Sequence, residues 1–169
     1  MEQTIKLKKL TKAIIILASI YLSILSLRLL ISFLPDFFTG VGDILNWSLF
    51  LILNFSLFIS LVVLMSIIVN QTPREKRYKS RTSLLVLVIV LPVSRFWLFL
   101  FEILTVIVVL NLPDFKHILI FLTVVITALY LVVLITLILI IVFANKLFTA
   151  FGDDIVSNNF NKWNTQRQI

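Results

Sequence analysis

The sequence predicts an all-α integral membrane four-helix bundle, and three observations carry that reading. The chain of 169 residues is 60% hydrophobic and only 14% charged, with a mean hydropathy of +1.12. A soluble domain of this size needs about a quarter charged residues to clothe its surface. The apolar residues fall into four runs, each near or beyond the ~20 residues that cross a ~30 Å hydrocarbon layer. Between those runs the basic residues collect in blocks, the pattern that orients membrane helices.

Residues 1–13 carry Lys6, Lys8, Lys9 and Lys12 against Glu2 alone. A secretory leader begins this way, but the apolar run that follows is too long for one and lacks a small-residue cleavage site. It reads as a first transmembrane helix over 13–34, interrupted by Arg28. Pro35, Gly40 and Gly42 then break the helix, and Asp43 is placed to cap the next one. The second helix is expected over 44–69, with Trp47 near its start and Asn54 deep inside.

Residues 70–83 form a basic loop: Arg74, Lys76, Arg77, Lys79 and Arg81, opposed by Glu75. The third helix is expected over 84–112. It holds Pro92, which removes one backbone donor and favours a kink, and two charges, Arg95 and Glu102. Ser94 is near enough to help satisfy the carbonyl that Pro92 frees. A second parse treats 84–93 as an interfacial segment and starts the span near Phe96, which makes Arg95 a flanking anchor with Trp97 at the interface. The fourth helix is expected over 118–143. In the tail, 147–169, Leu147, Phe151 and Ile155 recur at spacing four, so an amphipathic extension to about Ser157 is expected, frayed beyond; Phe160 and Trp163 are candidates to touch the membrane surface.

Positive charge sets the orientation. The N-terminal segment holds four basic residues, the middle loop five and the chain from Asn145 onward three; the turns at 35–43 and 113–117 hold none and one. Both termini and the middle loop are therefore expected on the cytoplasmic side, most simply of a bacterial cytoplasmic membrane. The formal charge of +7 then reports topology rather than nucleic-acid binding. The basic loop also suits anionic lipid headgroups, at about 1 kcal/mol per residue near the surface. Asn70-Gln71-Thr72 matches a glycosylation sequon but falls on the cytoplasmic side.

Leu34-Pro35-Asp36-Phe37 recurs as Leu112-Pro113-Asp114-Phe115. The echo suggests two tandem helical hairpins related by an axis along the membrane normal, although Pro-Asp is also plain chemistry for a turn into a helix.

Charges inside a span cost roughly 2.5–3.5 kcal/mol each near the centre and usually pair or line a cavity. Counted at 1.5 Å per residue, Arg28 lies about 10 Å below the outer surface, and Asn54, Glu102 and Thr127 about 15–16 Å, with Tyr130 deeper. An interior polar cluster of Arg28, Asn54, Glu102, Thr127 and Tyr130 is expected, with Arg28 paired to Glu102. A structural salt bridge explains such a cluster as readily as a ligand cavity does. Arg95 is a separate candidate for an interface or a cavity. All three glycines lie outside the spans, so GxxxG packing is absent, and Ser19/Ser23 and Ser56/Ser60 offer a weaker small-residue contact.

Cysteine is absent, which excludes disulfides, thiol catalysis and cysteine metal sites. His117 with Asp114 makes no metal site, and no nucleophile–base set is visible; no cofactor and no enzymatic activity are expected. Two function classes remain. One is an accessory, immunity or regulatory subunit that docks another membrane protein. The other is a small transporter or channel component, a homo-oligomer using the polar layer. Because the chain has no cysteine, single replacements report orientation cleanly. Glu75→Cys in intact cells should resist a membrane-impermeant maleimide, and Thr39→Cys should react; the reverse pattern inverts the topology.

Overall fold

The computed structural model describes residues 2–32, 42–75, 78–111 and 116–166, with the backbone alone at 28–32, 42–52, 106, 109–111, 116 and 158–166. The described residues form four α-helices and no strand: α1 (Glu2–Ser32), α2 (Gly42–Gln71), α3 (Ser80–Asn111) and α4 (Lys116–Gln166). Each is long and apolar enough to cross a membrane. The fold is therefore an all-α, integral membrane four-helix bundle. The two turns that carry the Leu-Pro-Asp-Phe echo, 33–41 and 112–115, lie outside the described residues.

The helices exceed their expected ends. α1 starts at Glu2, so the lysine segment forms its first three turns. Lysine, leucine and isoleucine sustain a helix there, with no Gly or Pro to stop it, and lysine stems lie along apolar surface while their ammonium groups reach water. α3 starts at Ser80 and runs through Pro92 without a break, so 84–93 and the stretch from Phe96 onward belong to one helix. Proline at 92 deprives the Val88 carbonyl of its donor. Ser94 does not reach that carbonyl; its hydroxyl donates to the carbonyls of Val90 at 2.9 Å and Leu91 at 3.1 Å. α4 continues to Gln166, where fraying was expected from Asn158. Its 51 residues extend about 77 Å at 1.5 Å per residue, more than twice the hydrocarbon thickness.

Packing follows heptad seams. On α1 the buried side chains are Leu7, Thr11, Ile14, Ala18, Tyr21 and Leu25; on α4 they include Tyr130, Val133, Leu137, Ile140, Ala144, Leu147 and Phe151. Both sets alternate steps of four and three, the spacing of helices crossing at about +20°. Neighbours in chain order pack together, and α4 closes the ring on α1; α4 makes the broadest contacts, on α1 and on α3. Ala18 and Ala144 are fully buried on their seams, where small side chains allow close approach. The serine pairs do not serve this role. Ser19, Ser23, Ser56 and Ser60 are all exposed, and Ser19 and Ser23 donate to their own helix's carbonyls at Ile15 and Ser19.

At the basic end, the part of α4 beyond the apolar span is anchored on two sides. The Lys8 ammonium of α1 stands 4.9 Å from the centre of the Phe148 ring and lies against Gly152, where an added Cβ would meet it at 3.2 Å. From the α2–α3 connection, the Tyr78 hydroxyl donates to the Asp154 carboxylate, and its ring packs 5.3 Å from Phe151. Arg81 Nε donates to the Val69 carbonyl at 2.8 Å and the Thr72 hydroxyl to the Ile68 carbonyl at 2.7 Å, which satisfies acceptors that the end of α2 leaves open. Leu147 and Phe151, on the anticipated amphipathic face, are buried here and Ile155 is half-buried. A hydrogen bond to a charged group contributes about 1.5–3 kcal/mol. Tyr78→Phe should therefore raise amide hydrogen exchange in 147–157 while the spans keep their protection. Unchanged exchange would mean that the Tyr78 hydroxyl does not hold the extension.

Candidate functional site

The interior polar groups divide into an outer pair and a central layer. In the outer pair the Tyr130 hydroxyl of α4 donates to Glu102 Oε1 of α3 at 2.7 Å. Tyr130 is buried on the α4 seam and Glu102 is half-buried. The bond joins two of the residues expected to meet. It exists because an antiparallel α3–α4 hairpin brings positions 102 and 130 to one level.

The remaining expected members stand differently. Thr127 Oγ1 donates to the Thr123 carbonyl at 2.8 Å, so its hydrogen atom is spent within α4. Thr123 does the same toward Leu119, also at 2.8 Å. Arg28 belongs to α1, and its side chain, with any pairing to Glu102, lies outside the described residues. Asn54 is 1% exposed, and neither its Oδ1 nor its Nδ2 has a hydrogen-bond partner.

The central layer was not assembled by sequence reasoning. Arg95 is 7% exposed, and its Nη1 is buried without a partner. It stands within about 1 Å of the midpoint of α3 at 1.5 Å per residue, with its side chain turned into the bundle. Two contacts set the α2–α3 register: Arg81 to the Val69 carbonyl, and the Phe55 and Phe99 rings, edge-on at 6.0 Å. That register puts Asn54 within about a helical turn of the level of Arg95. The Glu102–Tyr130 bond and the Lys8–Phe148 contact extend the register to α4 and α1. They bring Thr136 and Tyr21, both buried, to about the same depth. Thr136 donates to the Val132 carbonyl at 2.7 Å. One buried polar residue from each helix thus occupies the middle of the bundle. The signal available in the sequence was the heptad spacing of Ile14 and Tyr21, but uniformly apolar spans hide which stripe faces inward.

Trp97, two residues beyond Arg95, points the other way. It is 50% exposed, and its ring contacts are Phe96 at 6.3 Å and Phe101 at 6.4 Å between centroids. It too sits within about 3 Å of the α3 midpoint.

At the basic end, Arg74, Glu75, Tyr78, Lys79, Arg81 and Thr82 line an open hollow of about 270 Å³. Three of the five expected loop cations thus share one recess; Lys76 and Arg77 lie outside the described residues. Among the described residues no three His, Cys, Asp or Glu side chains gather as metal ligands. No protein-family model, characterised protein or solved structure matches the chain.

The outer pair has a direct test. Tyr130→Phe removes the donor to a half-buried carboxylate, a loss of about 1–3 kcal/mol. The thermal midpoint in detergent should fall. An unchanged midpoint would show that Glu102 has no need of the hydroxyl.

Proposed function

We propose that the protein is a non-enzymatic accessory or regulatory subunit that docks a transmembrane helix of another membrane protein against the outer face of α3. Trp97 carries the reading. An indole N–H buried in hydrocarbon usually finds an acceptor, and tryptophan in membrane helices favours the interfaces, where water supplies one. Trp97 instead projects from mid-span with half its surface open, flanked by Phe96 and Phe101. Lipid tails offer that N–H nothing. A partner helix with an exposed carbonyl or hydroxyl completes it and covers the aromatic surface around it. Tryptophan is also the residue type most enriched among interface hot spots.

The chain would stand in a bacterial cytoplasmic membrane with both termini and the 72–79 connection in the cytoplasm, where the basic hollow faces anionic headgroups. The counts of basic residues on the two sides support that orientation. A second reading, a homo-oligomeric transport or channel component, draws on the unpaired Asn54 and Arg95 side chains. Purification from the native membrane in mild detergent separates the two. The docking reading expects a foreign membrane protein at fixed stoichiometry, its retention weakened roughly tenfold or more by Trp97→Leu with the subunit's own thermal midpoint unchanged. A discrete homo-oligomer indifferent to Trp97 would favour transport instead.

A further inference from the structure

We propose that Arg95 and Asn54 form an intramembrane binding site for a small monovalent anion of chloride size. The site is independent of docking at Trp97, which lies on the opposite side of α3.

Charge comes first. A guanidinium stays protonated in proteins, so Arg95 cannot shed its charge as a buried lysine does. No hydrogen bond or ion pair reaches it among the described residues, and Nη1 is sealed from the surface. Glu102 lies two turns along the same helix, about 10 Å away, and one of its oxygens accepts from Tyr130. The neighbouring hydroxyls of Ser94 and Thr136 donate within their own helices, so they bring no negative charge. Among the described residues no carboxylate pairs with Arg95, so its single positive charge stands uncompensated in the middle of the bundle. One monovalent anion restores neutrality; a divalent one would overshoot it.

Donors come second. Asn54 is buried with neither its Oδ1 nor its Nδ2 hydrogen-bonded, and register puts it within a turn of Arg95. Its Nδ2–H and the Arg95 Nη1–H offer donors from two different helices to a single acceptor between α2 and α3. An anion accepts from both. Buried polar groups in a bilayer are retained where they line such a site, since each unmet group costs several kcal/mol in hydrocarbon.

Size comes third. Leu91 and Leu98, one turn to either side of Arg95, are fully buried, as are Leu61 on α2 and Leu137 on α4. These apolar neighbours offer no hydrogen bonds to a larger organic anion with a polar body.

The test uses the full chain purified in a neutral detergent. Chloride is varied from low to high millimolar against gluconate at constant ionic strength. Binding to the folded state alone should raise the thermal midpoint by roughly 5 °C across a hundredfold range above the dissociation constant. Chloride NMR line broadening above that of empty micelles reads the binding directly. Arg95→Met, which removes an uncompensated charge and so should fold at least as well, is expected to lose both signals, and Asn54→Leu to weaken both. Arg74→Gln/Lys79→Gln, at the surface hollow, should keep them. No chloride dependence in the unaltered protein overturns the proposal. So does dependence that survives Arg95→Met, or dependence lost in the surface variant, which would move the anion to the basic loop.

Discussion

A bilayer interior supplies no hydrogen bonds, and that constraint shapes the whole molecule. Every backbone group in the spans must be satisfied within its own segment, so the described residues are four helices and almost nothing else. Side-chain hydroxyls obey the same rule. Thr11, Ser19, Ser66, Thr105 and Thr127 each donate to a carbonyl three or four residues back. Bonds of this kind pin nothing to a neighbour. The tertiary hydrogen bonds between side chains of different segments are therefore informative where they occur: Tyr130 to Glu102 inside the bundle, and Tyr78 to Asp154 at its basic end.

α4 is the structural spine because of its length. Inside the bundle its seam packs both α1 and α3. Beyond the apolar span the same seam continues through Ala144, Leu147 and Phe151, now covered by the N-terminal turns of α1 and by Tyr78. One uninterrupted helix thus couples the polar interior to the basic end. The lysines of α1 act twice there: as charges they favour one side of the membrane, and as long stems they cover apolar surface on α4.

The interior is unusual in what it leaves unmet. Membrane helices associate through close packing and internal polar contacts, without a hydrophobic driving force between them. An arginine and an asparagine held mid-bundle without partners oppose that packing. Glu102 illustrates the opposite case, a charged residue provided with a donor from the facing helix. The contrast between Glu102 and Arg95, seven residues apart on one face, is what makes Arg95 and Asn54 the residues to explain.

Much of this was legible from the sequence alone, for a simple reason. Hydrocarbon thickness demands a minimum apolar length, and charge is excluded from it, so composition by itself determined the fold class, the number of helices and the residues expensive enough to matter. Pro92 and the basic loop located the third helix to within a few residues. What only the tertiary structure decided was direction. In water a helix declares its inner face by contrast between apolar and polar sides; in lipid both sides are apolar, and that contrast disappears. Hence Arg95 and Trp97, two positions apart, form an interfacial pair on the sequence's second parse and share a span on its first, while the bundle turns one inward and the other outward. The exposure of Ser19 and Ser56, the long reach of α4 and the Tyr78–Asp154 bond were hidden for the same reason: each depends on which helix stands opposite, and pattern along one chain does not carry that.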